Sequence, residues 1–349
     1  MAYERAQNLL KRFIFTKNVT VRKFINFCLV TFQHVVLRNS YVVGYPIELI
    51  IDPCNICMLN CPLCPTGQGR KERSKGKMSF ANFKQIIDEL GVYLYEVDLH
   101  NWGEPLLNEE IHKMIEYAHK HNIGVNLSTN LNFLDERKAE EIVKSGLDHL
   151  IVSLDGASQI TYQQYRIGGN FNKVIKNIKM IVQKKKELKR LLPSITWQFI
   201  VMKHNEHEIP KARKMARHIG VDKFKFMGTF SDMGRELLWS KGRRIREVEK
   251  WLPHSKKYHL SGINPCNFLW CQAVINWNGS VSPCCAVYPE EYDFGNIFSE
   301  GGFKKIWNNE KYRTARRIIR QKRIRGSKDM ENICAHCLIN TGSIKKGSL

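Results

Sequence analysis

From residue 45 onward, short apolar runs alternate with longer segments whose apolar positions recur every three or four residues. The runs Tyr45–Ile51, Tyr93–His100, Ile123–Ser128, His149–Leu154, Ile195–Met202 and Lys223–Met227 predict strands. Ser79 is a good N-cap for a helix with Phe80, Phe83, Ile86, Ile87 and Leu90 on one side. Further helices are expected near 109–121, 135–145, 171–190 and 206–219; in the third of these, Phe171, Val174, Ile175, Ile178, Ile181 and Val182 keep the helical period. Strands that alternate with helices imply a parallel sheet with helical crossovers, an α/β fold of six β-then-α units, in effect a partial (β/α)6 TIM-like barrel over residues 45–230. Residues 231–262, basic and containing Gly234 and Gly242, read as a linker. Residues 263–349 form a small C-terminal cysteine-rich unit.

Residues 1–44 are a basic preface. Phe24, Phe27, Cys28, Thr31 and Val35 predict one helix face, flanked by Arg22, Lys23 and Arg38. Such a helix either packs on its own domain or lies on an anionic membrane.

The chain has 349 residues, 43% apolar and 25% charged, a balance that excludes intrinsic disorder and coiled coil and supports a sizeable core. It contains no run of 18 apolar residues and no secretory signal is read at its start, so a cytoplasmic protein is expected, with peripheral contact to the inner membrane face as an option. The net charge of +22 favours anionic partners: nucleic acid, acidic lipid, a phosphorylated substrate or an acidic peptide. The excess is concentrated at the ends, with seven Lys/Arg against one Glu in residues 1–40 and thirteen against three acids in 304–349.

Eleven cysteines change the picture. Cys54, Cys57, Cys61 and Cys64 crowd the segment after the first strand; six more follow residue 265, and none lies between. Without a secretion signal, clustered thiolates point to metal rather than disulfides. Zinc sites draw Cys pairs from separate knuckles, whereas only three residues separate these two pairs; one short loop can instead wrap an iron–sulfur cluster.

Cys57-x3-Cys61-x2-Cys64-Pro65 resembles the signature of the radical SAM superfamily. The resemblance implies that Cys57, Cys61 and Cys64 ligate three irons of a [4Fe–4S] cluster, with the fourth iron open to exchangeable S-adenosylmethionine (SAM). Cys54 lies outside the pattern. Asn101-Trp-Gly103-Glu104-Pro105 resembles the family's Gly-Gly-Glu-Pro segment, whose backbone bonds the SAM amino group, with Trp102 in place of the first Gly. Ser128-Thr129-Asn130, Ser153-Leu-Asp155-Gly156 and Tyr162-x3-Arg166-Ile-Gly168-Gly169 follow the third and fourth strands. By resemblance Ser153 meets the SAM ribose and Arg166 its carboxylate, with Asn130 and Asp155 as further contacts. These segments fall at the C-terminal ends of strands, where parallel α/β barrels place their ligands.

Trp277-Asn278-Gly279-Ser-Val-Ser-Pro-Cys284-Cys285, then Gly295-Asn-Ile-Phe and Ile306-Trp307-Asn, resemble SPASM or twitch-type radical SAM enzymes. The Asn278-Gly279 turn predicts a hairpin that presents a thiolate. The cysteine count implies one auxiliary [4Fe–4S] cluster on Cys266, Cys284, Cys334 and Cys337, with Cys271 a rival for Cys266 and Cys285 for Cys284. Four Cys from separated segments also suit tetrahedral zinc. Resemblance implies reductive cleavage of SAM to a 5′-deoxyadenosyl radical and hydrogen abstraction from an unactivated C–H bond of a peptide, a sugar or aminocyclitol, or a lipid-linked substrate. The auxiliary cluster would assist oxidation or substrate binding, flavodoxin or ferredoxin would supply electrons, and Cys271, Cys285 or Cys54 would be candidate hydrogen donors. The competing reading is a zinc-stabilised basic nucleic-acid-binding protein, with stretches such as Lys184-Lys185-Lys186 on phosphates; it leaves the strand-end motifs without a purpose, so no nucleic-acid partner is expected.

Overall fold

In the computed structural model, which describes residues 19–228, 250–255, 266–321, 323–324, 326–337 and 345–346, the first element is helix α1, Val21–Phe32, continued by a π-helical turn at Gln33–Leu37. Strand and helix then alternate: β1 Glu48–Ile51, α2 Phe80–Leu90, β2 Glu96–Leu99, α3 Ile111–Lys120, β3 Gly124–Thr129, α4 Glu136–Lys144, β4 His149–Ser153, α5 Gln159–Tyr165, α6 Phe171–Glu187, β5 Ser194–Val201, α7 Ile209–Ile219 and β6 Lys223–Gly228. After residue 265 come β7 Gln272–Ile275, β8 Val281–Ser282, α8 Phe303–Ile306, α9 Glu310–Gln321, β9 Arg323–Ile324, α10 Ser327–Glu331 and β10 Lys345–Lys346.

Local chemistry sets these boundaries. Ser79, Asp135, Ser158 and Asn170 are extended residues whose side chains accept from the backbone N–H three residues on, so α2, α4, α5 and α6 begin where they do. Gly220, with φ of 88°, closes α7 in the left-handed conformation. Among the described residues of 45–228, the α-helix that periodicity missed, α5, has seven residues and too few turns to display a pattern; α8, α9 and α10 of the C-terminal portion were not expected either.

The main sheet runs in the order β6-β5-β4-β3-β2-β1-β7-β8 and is open. All its neighbours are parallel except β7 and β8. A row of side chains crosses six strands in register: Ile275, Ile51, Leu99, Leu127, Leu150 and Ile195, all fully buried. Helices cover the row, α2 beside α3 and α4 beside α6. The partial barrel expected from the alternation is therefore present, and the C-terminal portion joins it directly, because β7 pairs along β1. Most of the expected linker, 231–262, lies outside the described residues, as do residues 1–18.

The N-terminal helix is present but presents a different face from the one expected. Phe27 is buried, whereas Phe24 and Cys28 are exposed; Lys23, Asn26 and Val30, then Gln33 and His34, make the inner face. Polar groups can lie inside because each finds a partner. Lys23 Nζ donates to Asn122 O at 2.5 Å, Asn26 donates to Tyr45 O and accepts from Tyr45 N, and Gln33 Oε1 accepts from Val43 N.

Candidate active site

The chain leaves the C-terminal end of β1 into the loop that carries the first cysteines. Cys54 is buried and pairs by a backbone bridge with Lys77, away from Cys57, Cys61 and Cys64. Cys64 N donates to Cys61 O and Gln68 N to Cys64 O, so the second half of the loop is a tight turn.

Three strand ends touch this loop. After β2, Glu104 N donates to Ile56 O at 2.9 Å, and Gly103 lies so close that a Cβ there would come 2.0 Å from Cys54 O. The Glu104 side chain is almost wholly buried and accepts from Thr129 Oγ1 at 2.6 Å, Asn130 N at 2.8 Å and Leu106 N at 3.0 Å, which ties the end of β2 to the end of β3. After β3, Asn130 Nδ2 reaches Cys57 Sγ at 3.6 Å and Met58 Sδ at 3.4 Å. After β4, Arg166 Nη1 lies 4.0 Å from Cys61 Sγ, and Asn60 N donates to Ile167 O.

Ser153 is the last residue of β4 and nearly buried. Asp155, fully buried, accepts from Arg166 Nε at 2.6 Å and from Ile200 N at 2.7 Å. Its carboxylate therefore orients the guanidinium beside Cys61. Asn130, Arg166, Gly103 and Glu104 thus gather at the cysteine loop, with Asp155 one step behind.

Burial dominates the thiols. It pushes Cys57 up to about 12 and Cys61 up to about 11, with Arg166 pulling the latter back, and it raises Cys64 too. Thiolates in such a place need compensating positive charge, which iron supplies. Three thiols, and not four, at a mouth with further polar groups fit a cluster with one open iron.

Further side chains stand around this site, and the first of them carried no sequence signal. Asp52, fully buried at the end of β1, is pushed up to about 7 by burial, with Arg73 opposing. Trp102, the departure from the family pattern, packs edge-on against Tyr288 of the C-terminal portion at 5.4 Å. Asn132 donates to the buried Tyr162 hydroxyl at 2.9 Å, and only its place two residues after Asn130 hinted at it.

The second cysteine group forms around the hairpin. Gly279, with φ of 83°, turns β7 into β8, and Cys284 follows. Cys334 lies in the 3-10 turn Ile333–His336, where Asn332 Oδ1 accepts from its N–H, and Cys337 comes next. Burial is the larger cause that pushes Cys266 up to about 12 and raises Cys284 and Cys334 well above the ordinary thiol value; Cys337 adds to the rise of all three, and Cys266 to that of Cys284 and Cys334. Cys285 is also within reach of Cys266 and Cys284, while Cys271 faces Glu48 first and Cys266 second.

The model of the radical SAM superfamily matches residues 51–216, and that of an iron–sulfur cluster-binding domain, SPASM, matches 266–338. The chain belongs to the radical SAM superfamily. Among curated relatives of this radical SAM enzyme, the mycofactocin maturase MftC of Mycobacterium tuberculosis is 23% identical over 76% of this chain and 71% of its own. The PqqA peptide cyclase of Gluconobacter oxydans is 25% identical over 75% and 76%. Among solved structures, Streptococcus suis SuiB bound to precursor peptide SuiA matches with a TM-score of 0.62 at 16% identity, over 90% of this chain and 75% of that one, which shows a shared fold. As a radical SAM enzyme with a SPASM domain the protein uses SAM, a [4Fe–4S] cluster and auxiliary iron–sulfur chemistry. The zinc-stabilised nucleic-acid-binding alternative has no support in these matches. Among the described residues no helix is long and apolar enough to cross a membrane.

Proposed function

We propose that the protein is a peptide-modifying radical SAM enzyme that acts on an unactivated C–H bond of a ribosomally made, acidic precursor. The observation that carries the reading is the convergence of Cys57, Cys61 and Cys64 with Gly103, Glu104, Asn130 and Arg166 at one mouth of the sheet. In it, Cys57, Cys61 and Cys64 would hold three irons of the first cluster, and Cys266, Cys284, Cys334 and Cys337 would hold one auxiliary [4Fe–4S] cluster. When bound and reduced, the cluster at Cys57, Cys61 and Cys64 would supply the electron for reductive cleavage of SAM, the source of the hydrogen-abstracting group. The backbone at Gly103 and Glu104 takes the SAM amino group, Arg166 its carboxylate, and Ser153 its ribose. Asn130 steadies the loop at Cys57, and Asp155 fixes the guanidinium of Arg166. The catalytic unit is residues 45–230 and the auxiliary unit 263–349, joined through 231–262.

Peptide chemistry is favoured over sugar or lipid-linked substrates by the names of the relatives, a maturase and a peptide cyclase. The net charge of +22 favours an acidic leader segment. A one-electron donor of the flavodoxin or ferredoxin class, itself acidic, would be drawn by the same field. A cytoplasmic location with peripheral contact to the inner membrane face agrees with the basic first forty residues.

The test is anaerobic reconstitution, iron analysis and detection of 5′-deoxyadenosine under dithionite, with and without acidic precursor peptides encoded beside the gene. Deuterium passing from a labelled peptide into 5′-deoxyadenosine is the expected result. Reductive SAM cleavage without transfer from any peptide, but with transfer from a sugar, would overturn the substrate class.

A further inference from the structure

Helix α1 and the π-helical turn that continues it keep an apolar face turned outward. Their inner face carries Lys23, Asn26, Gln33 and His34 beside Phe27 and Val30, while the outer face carries Val21, Ile25, Leu29, Phe32 and Val36, spaced by four, four, three and four residues. These five side chains are 41–77% exposed. Leu37, Tyr41 and Val43, also exposed, continue the apolar outer surface beyond the helix. A single exposed leucine is ordinary, but a continuous apolar stripe on an outward helix face marks an interaction surface.

The charge around the stripe identifies the occupant. Residues 5–47 contain seven Lys/Arg and no Asp or Glu. Arg22, at the start of α1, donates to the Tyr93 hydroxyl at 2.9 Å and lies over its ring, and Lys304 lies over the rings of Tyr45 and Tyr93. Two cations thus stand together at one end of the stripe, with Arg38 past the other. A second copy of the chain would bring the same positive rim against it and be repelled, whereas an anionic lipid surface offers complementary charge at its headgroups and an apolar layer beneath. The helix has twelve residues, well short of the roughly 20 needed to span a bilayer, so it can only lie in the interface.

We infer that the Val21–Ile25–Leu29–Phe32–Val36 face of α1 is the surface by which this protein docks on an anionic membrane, apolar stripe inserted and Arg22, Arg38 and Lys304 at headgroup level. The inference rests on the peripheral location proposed above and is independent of the SAM chemistry, so a failure here leaves the catalytic reading intact. An enzyme held this way works with its substrate confined near the membrane surface.

The experiment is co-sedimentation of the full-length reconstituted protein with phosphatidylglycerol/phosphatidylcholine vesicles and with phosphatidylcholine vesicles at low salt. Partition onto the anionic vesicles should be stronger by about tenfold or more and should weaken as salt rises. Ile25→Ser/Leu29→Ser/Phe32→Ser should abolish it while iron content and SAM cleavage in lipid-free solution stay as in the parent. Arg22→Gln/Arg38→Gln, which leaves the stripe intact, should lower anionic binding by about fivefold per charge. The inference is overturned by a parent protein that sediments no better with anionic vesicles than with neutral ones, or by triple-variant binding equal to the parent's. A parent dimer that the triple variant converts to monomer would also overturn it, assigning the face to a second copy.

Discussion

Arg73 and Asp293, 220 residues apart, meet in a buried two-pronged ion pair, Nη1 to Oδ2 at 2.9 Å and Nη2 to Oδ1 at 2.8 Å. The same guanidinium donates to Tyr288 O, Ser280 Oγ and Ser282 Oγ, so its donors all face acceptors of the C-terminal portion. Arg73 belongs to the segment that follows the first cysteine loop, and its partners surround the hairpin that leads to Cys284. The two cysteine groups are therefore held in fixed relation by one buried side chain. Trp277 reinforces the joint by donating from Nε1 to Ser74 O at 3.0 Å.

Asp293→Asn should leave a buried guanidinium without its counter-charge. A loss of about 3–5 kcal/mol of unfolding free energy is expected, read from urea denaturation of the reconstituted protein. A loss below about 1 kcal/mol would place the pair among surface ion pairs in strength and remove its role as the joint.

Replacing Cys57, Cys61 and Cys64 together by alanine should reduce iron from about eight to about four per chain and abolish 5′-deoxyadenosine release. Full iron with intact SAM cleavage would contradict the ligand assignment. Zinc in place of the remaining iron would contradict the auxiliary cluster alone.

Arg166→Lys keeps the charge but loses the planar fork, and only one nitrogen remains to serve Asp155 and SAM. SAM affinity should fall by about 10- to 100-fold in equilibrium dialysis, the scale of one charge-assisted hydrogen bond. The iron content should hold, since Arg166 is a neighbour of Cys61 and not a ligand.

Gly103→Ala should displace the cysteine loop, because the new methyl carbon would sit 2.0 Å from Cys54 O and 2.6 Å from Asn55 Cα, both backbone atoms. Reconstitution should yield less iron at the first site. Gly326→Ala, which meets nothing within 4 Å, is the control and should reconstitute like the parent.

Lys23 supplies a pH test remote from the irons. Burial lowers its amine from 10.5 to about 8, so between these values the unfolded chain binds the proton that the folded chain has released. Stability gained through Lys23 therefore rises with pH across this window. Relative to Lys23→Met, the parent should gain thermal stability from pH 8 to pH 10; an unchanged difference would show that the amine is not depressed.

The alternation of strands and helices, the helix cap at Ser79 and the cysteine spacing were legible in the chain, because each depends on residues within a few positions of one another. The gathering of Gly103, Glu104, Asn130 and Arg166 at the loop followed from strand order, since parallel strands bring their C-terminal ends to one side. Residue types alone did not tell which face of α1 turns inward. The apolar count favoured one side, but Asn122 O, the Tyr45 backbone and Val43 N, supplied from elsewhere in the fold, gave Lys23, Asn26 and Gln33 partners and let polar groups take the inside. The same holds for Arg73 and Asp293 and for the pairing of β7 along β1: their partners are more than 200 residues away in the chain, and only tertiary packing brings them together.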